Sequence, residues 1–123
     1  MLSSTTALYM SGKNPGTDGA QYSTITVSGT TLSFGSSHSL NTYSSSYVAG
    51  CRVSSTTALM VWVRNSDHYI LGCAVGTGGA GTPVVLVAEY CGYCTIIALS
   101  TTKAVLTYTT LANDLRSVLV TLS

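Results

Sequence analysis

Three glycines match a spacing that in other proteins binds a dinucleotide. Gly76, Gly78 and Gly81 fit the pattern Gly-x-Gly-x-x-Gly, which holds a pyrophosphate only when a helix follows at once. Residues 82–87 instead read Thr-Pro-Val-Val-Leu-Val, a run typical of a strand. We therefore interpret the segment as a hairpin loop, and we predict no cofactor.

Cys91 and Cys94 form a Cys-x-x-Cys pair. Structural zinc needs four ligands, and one such pair supplies two. The other candidates lie in different strands or loops: Cys51, Cys73, His38 and His68. Strand positions three apart face opposite sides about 10 Å from each other, so a disulfide requires a bend at Gly92. Buried free thiols are favoured, with a disulfide and a metal site as the alternatives; no metal site is predicted.

Acid–base residues are too few and too scattered for a catalytic site. Asp67 and His68 are neighbours, but adjacent side chains on an extended chain point apart. No Gly-x-Ser-x-Gly nucleophile turn occurs. The carboxylates number four in all: Asp18, Asp67, Glu89 and Asp114. We predict that the chain is not an enzyme and has no catalytic residues.

The eight tyrosines and Trp62 are the most suggestive residues for ligand binding. Aromatic rings in loops stack on sugar faces while polar neighbours bind the hydroxyls. We take Tyr43, Tyr90, His68 and Asp67 as candidate carbohydrate contacts. The remaining interpretation is that tyrosines at repeated positions pack between repeat units; these are Tyr22, Tyr47, Tyr69 and Tyr93.

Composition excludes some classes of partner. Only 7% of residues are charged, whereas 18 Ser and 19 Thr supply an uncharged polar surface. The five basic residues are scattered and the net charge is +1, which argues against nucleic acid. The uncharged run from Tyr69 to Ala88 is broken by glycines and Pro83, so no membrane span is predicted. A low-charge Ser/Thr surface favours an extracellular, cell-surface or virion-surface setting.

A seven-residue segment occurs three times, starting at Leu2, Val53 and Leu99. The copies read Leu-Ser-Ser-Thr-Thr-Ala-Leu, Val-Ser-Ser-Thr-Thr-Ala-Leu and Leu-Ser-Thr-Thr-Lys-Ala-Val. Flanking positions agree as well: Tyr47 matches Tyr93, 46 residues later, and Tyr22 matches Tyr69, 47 residues later. Internal similarity at such a period indicates a repeat architecture.

Each unit reads as strands separated by turn residues. The predicted strands are 6–10, 21–27, 31–34, 47–53, 56–63, 69–75, 83–88, 93–99, 103–108 and 117–122, with a loop at 13–19 and turns at 28–29, 65–67, 76–81 and 111–114. Residues 56–63 are apolar on both faces, as in a strand buried between two layers. The chain thus divides into a partial unit (about 1–40), a full unit (about 41–88) and a partial unit (about 89–123).

The four-stranded repeat resembles the short blade repeats of bacterial and phage β-propeller proteins, in which a Leu/Val-x-Ser/Thr-Thr-x-Ala-Leu/Val segment starts the second strand. The resemblance implies an all-β fold of antiparallel four-stranded blades; a β-sandwich is the alternative. We expect a core that includes Leu8, Val27, Leu59, Val61, Val85, Ile97 and Val105.

Ten strands make about two and a half blades, fewer than the 4–8 that close a propeller. We therefore expect a non-catalytic structural or recognition module that associates with itself into a closed oligomer or a filament. The predicted assembly edges are Thr6, Met10, Ser117, Val120 and Leu122. The alternatives are a lectin-like propeller that binds carbohydrate and a fragment of a longer propeller.

Overall fold

The computed structural model describes residues 6–11 and 19–123, and over these residues the chain is all-β and antiparallel with no helix. It forms three separate sheets, in chain order. Residues 13–18 of the loop predicted at 13–19, and most of the first copy of the repeated segment, lie outside the described residues.

The first sheet holds β1 (Thr6–Ser11), β2 (Gln21–Ser28), β3 (Thr31–Phe34) and the short β4 (His38–Ser39). Strand β2 pairs with β1 on one side and with β3 and β4 on the other. Gly29, at φ 60°, forms the tight turn between β2 and β3, in a backbone conformation that L side chains rarely adopt.

The middle sheet holds β5 (Ser45–Arg52), β6 (Thr57–Arg64), β7 (Ile70–Gly76), β8 (Gly79–Ala80) and β9 (Val84–Val87). Strand β6 pairs with β5 and β7, and β7 then pairs with both β8 and β9. Gly76 to Gly81 is a hairpin, as predicted, because the chain reverses into β8 and continues to β9.

The third sheet holds β10 (Cys91–Ala98), β11 (Lys103–Thr110) and β12 (Leu115–Thr121), in that order. All ten predicted strands are thus found, and β4 and β8 are two-residue additions. The predicted turns at 65–67 and 111–114 are confirmed as well.

In its second and third copies, the repeated segment forms the turn that enters the second strand of the unit. Ser54 Oγ accepts hydrogen bonds from the backbone N–H of Thr56 (3.2 Å) and of Thr57 (3.0 Å). Ser100 Oγ accepts equivalent bonds, 46 residues later, from Thr102 N–H (3.2 Å) and Lys103 N–H (3.1 Å). The serine of the repeat is therefore a turn residue whose side chain satisfies backbone donors.

The middle sheet packs between the other two. Ala58, Met60 and Trp62 on one face of β6 join a core cluster with Ala20 and Tyr22 of the first unit. The opposite face of β6 joins a second cluster with the third sheet; its residues there are Leu59, Val61 and Val63. Residues 58–63 are all buried, so the prediction of a strand buried on both faces is confirmed.

Part of the predicted core is wrong. Leu59 and Val61 are buried, and Leu8, Val27 and Val105 are half-buried, but Val85 and Ile97 are exposed. Ile97 follows Ile96, which is buried; neighbours on a strand face opposite ways, and only the inner face of the third sheet is covered.

Candidate functional site

The turn between β6 and β7 gathers the four predicted ligand contacts. Arg64, at the end of β6, donates hydrogen bonds from Nε to Asp67 Oδ1 (3.0 Å) and from Nη2 to Asp67 Oδ2. Its guanidinium also lies over the rings of Tyr43 (5.5 Å) and Tyr69 (5.8 Å). Arg64 thereby links two of the predicted residues, Tyr43 and Asp67, although no sequence pattern indicated its role.

The electrostatics of this turn stabilise the folded conformation. The hydrogen bond from Arg64 holds the pKa of Asp67 below its ordinary value, and Asp67 Oδ1 also accepts from Tyr69 N–H (3.1 Å). Both carboxylate oxygens are therefore engaged within the protein. Asp67 therefore stabilises the turn, and its carboxylate is less suited to accept hydrogen bonds from a ligand.

His68 and Tyr90 form the other half of the group. Their rings stack with centroids 4.0 Å apart and planes at 21°. His68 has φ 60°, and its carbonyl accepts from Cys91 N–H (2.9 Å), which ties the turn to the start of β10. Tyr90 remains 43% exposed as a residue, so it offers an aromatic surface at this end of the sheet.

A second polar cluster ties the linker between β9 and β10 to the third sheet, and sequence reasoning missed it. Tyr108 Oη donates to Glu89 Oε1 (2.6 Å), and Arg116 Nη1 donates to Oε1 (3.1 Å) and Oε2 (2.9 Å) of the same carboxylate. The Tyr108 hydrogen bond and the positive charge of Arg116 lower the pKa of Glu89. These residues are distant in sequence, and no motif connects them.

The middle unit has a similar contact at the position equivalent to Tyr108. Trp62, 46 residues before Tyr108, is fully buried. With the Asn41 amide in the orientation that satisfies both partners, Asn41 accepts from Trp62 Nε1 (3.0 Å) and donates to the Tyr43 carbonyl (2.7 Å). Trp62 in β6 and Tyr108 in β11 thus play the same part. Each donates a hydrogen bond to a side chain in the linker that precedes its own sheet.

The four cysteines are free thiols. Cys94 Sγ donates to the Tyr47 carbonyl (3.0 Å) and Cys91 Sγ to the Glu89 carbonyl (3.2 Å). Burial raises the pKa of Cys73 and Cys91 to about 11 and that of Cys94 to about 12. Protonated thiols are poor metal ligands and poor nucleophiles, and these cysteines are placed to pack and to donate hydrogen bonds.

The predicted assembly edges are edge strands, but several of their side chains are occupied inside the protein. Strands β1 and β12 each end the order of their sheet within the described residues. Met10 packs against the first core cluster, and Val120 and Leu122 pack against the second. Thr6 is half-buried and Ser117 is exposed. The apolar residues among the predicted edge positions therefore pack inside the protein, whereas the backbone edges of β1 and β12 remain open.

Free apolar surface lies instead on the outward faces of the first and third sheets. On the third sheet, Ile97 pairs with Val105 and Val105 with Leu119, which forms one row across three strands. On the first sheet, Ala7 pairs with Ile25 and Ile25 with Phe34 in a similar row. The exposed fractions are 60% for Ile97, 54% for Leu119 and 66% for Phe34, so both rows have solvent-exposed apolar groups.

An apolar groove of about 380 Å³ runs between the middle and third sheets. Its walls include Leu86, Ile96 and Leu122, and it lies beside the open edge of β12. No polar cluster of the kind that would orient a small ligand is present among these lining residues.

Over the described part of the chain, no group of three or more His, Cys, Asp or Glu residues is arranged to hold a metal ion. The same residues contain no helix that could cross a membrane. No protein-family model, curated protein or solved structure matches the chain.

Proposed function

We propose that this chain is a non-catalytic structural module, built from propeller-type blades, that associates with further copies of itself. One observation supports this most strongly. The middle sheet is covered on both faces, whereas the first and third sheets have exposed apolar rows on their outward faces. In repeat proteins, each unit buries its hydrophobic face against the next unit.

Low charge supports the same proposal. Like-charge repulsion, which keeps many soluble proteins apart, is weak in a chain with 7% charged residues and a net charge of +1. The outward rows contain Ile97, Val105 and Leu119 on one side and Ala7, Ile25 and Phe34 on the other. Neither row holds a charge, and Lys103 stands beside the first row on the same face of β11.

Light scattering after size exclusion at micromolar concentration tests the proposal. We expect a mass that is a multiple of 12.7 kDa and that rises with concentration. A 12.7 kDa species at every concentration, with cooperative unfolding, would contradict self-association. For lysine variants placed on the outward faces, the matched control is Leu111→Lys. Leu111 is an exposed leucine in the β11–β12 turn and lies off both outward faces.

Carbohydrate binding is a second candidate, supported by the grouping of Tyr43, His68 and Tyr90 around one turn. An exposed, preorganised aromatic ring is a suitable stacking surface for a sugar. A glycan array with the wild-type chain and Tyr90→Ala tests it. Binding that is lost in the variant would support a lectin, and an array without signal would leave self-association as the sole proposal.

A further inference from the structure

We infer that a second copy of this chain binds the outward face of the third sheet with the outward face of its own first sheet. The two sheets would pack on each other in the same way as the middle and third sheets pack within one chain. This inference rests on the proposed self-association and specifies the surfaces that meet.

Equivalent positions in the three sheets can be identified from the register. Leu59 pairs with Cys51 and Ala74 in the middle sheet, and Val105 pairs with Ile97 and Leu119 in the third. Leu59 and Val105 occupy the same place in the repeated segment. The row Ile97–Val105–Leu119 is therefore the counterpart of the row Cys51–Leu59–Ala74.

The counterpart rows have different surroundings. In the middle sheet, Leu59 belongs to the cluster shared with the third sheet, and Cys51 and Ala74 pack against that cluster. The middle sheet thus presents this row to the sheet that follows it in the chain. In the third sheet the same row faces solvent, since Ile97 and Leu119 are both more than half exposed.

The opposite face follows the same rule. Met60 of the middle sheet packs toward the first sheet, and its equivalent Leu106 in the third sheet packs toward the middle sheet; both are fully buried. Their counterpart in the first sheet is Tyr9, which is 52% exposed. Each sheet therefore presents one face to the preceding sheet and the other to the following sheet. Within the described residues, no sheet covers the outward face of the first sheet or that of the third.

A second copy covers both of these faces. The contact pairs two different surfaces, so it is head-to-tail, and it produces a ring if the rotation closes or a filament if it does not. Thr107 and Thr109 stand where the middle sheet has Val61 and Val63. The contact between copies consequently buries less apolar surface than the internal one and is weaker than it.

Two single variants, each blocking one face, test this geometry. Leu119→Lys places a charge on the third sheet and Phe34→Lys on the first; both residues are exposed, so folding is expected to remain intact and is checked by circular dichroism and thermal unfolding. Each variant alone should have the monomer mass in light scattering. Mixed in equal amounts, they should form a heterodimer and nothing larger. The unaltered first sheet of Leu119→Lys can bind the unaltered third sheet of Phe34→Lys, and the other two outward faces are blocked.

The outcomes separate this inference from the function on which it rests. A monomeric wild-type chain would overturn both. A wild-type assembly that either lysine variant leaves unchanged would overturn the face-to-face contact and leave self-association standing. Two monomeric variants that stay monomeric when mixed would also overturn it, since the intact first sheet of one variant should bind the intact third sheet of the other.

Discussion

Tyr47 and Tyr93 lie 46 residues apart at equivalent positions of consecutive units, and their rings contact each other with centroids 4.5 Å apart and planes at 61°. Each tyrosine lies at an irregularity of a first strand, where the pairing shifts between Ser46 and Ala49 in β5 and between Cys91 and Cys94 in β10. Such bulges re-aim side chains. The repeat thus places the same residue twice so that adjacent units contact through it.

Removal of the Tyr93 ring should weaken this contact. We expect Tyr93→Ala to lower the free energy of unfolding by about 1 kcal/mol, as for other edge-to-face aromatic pairs. Chemical denaturation measures the change. Tyr93→Phe keeps the ring and should lose much less; equal losses for the two substitutions would show that the ring contact is not the cause.

The serines of the repeated segment should contribute equally to stability. Ser54→Ala and Ser100→Ala each remove the acceptor for two backbone N–H groups, so each should lower the free energy of unfolding by about 1 kcal/mol. The two sites are in different sheets, and the double variant should show the sum. Ser55→Ala and Thr101→Ala, at exposed positions of the same turns, serve as controls and should change stability little.

Acid should weaken the hold of the third sheet on the linker between β9 and β10. The pKa of Glu89 is lowered from its ordinary value of 4.5, so its contribution is present above that pH and is lost as the pH falls through the lower folded value. The wild-type chain should therefore unfold at a higher temperature than Glu89→Gln at pH 7, and the difference should shrink on acidification. A difference that stays constant down to pH 3 would argue against the ion pair as its source.

The thiols should react slowly in the folded protein. A pKa of about 12 for Cys94, against 9.0 ordinarily, reduces its thiolate fraction about a thousand-fold near neutral pH. Alkylation at pH 8 followed by mass spectrometry should modify the native chain slowly and the denatured chain rapidly at all four cysteines. Fewer than four modified cysteines in denaturant without reductant would indicate a disulfide and contradict the free thiols.

Much of the secondary structure could be predicted from the sequence because the strands are rich in apolar or β-branched residues and are bounded by turn residues. The run from Thr57 to Val63 is the clearest example, since its apolar side chains on both faces require two covering layers. The direction of packing could not be predicted for the pair Ile96–Ile97. Both residues are equally apolar, and the choice between them depends on which neighbouring sheet exists.

The match of Tyr22 with Tyr69 shows a related limit. Tyr22 pairs with Met10 in the first sheet, and the corresponding pair in the middle sheet is Gly72 with Val61. The register therefore aligns Tyr22 with Gly72, and the interpretation of the two tyrosines as equivalent is wrong. The polar cluster of Glu89, Tyr108 and Arg116 also depends on tertiary contacts that a single sequence does not reveal.

Electron cryomicroscopy of the assembled protein tests the central claim most directly, because the map shows which surfaces of neighbouring copies meet. We expect a continuous stack of sheets in which the row Ile97–Val105–Leu119 of one copy is covered by the outward face of the first sheet of the next. A map in which β1 and β12 of neighbouring copies pair edge to edge, with Phe34 and Leu119 facing solvent, would contradict the account.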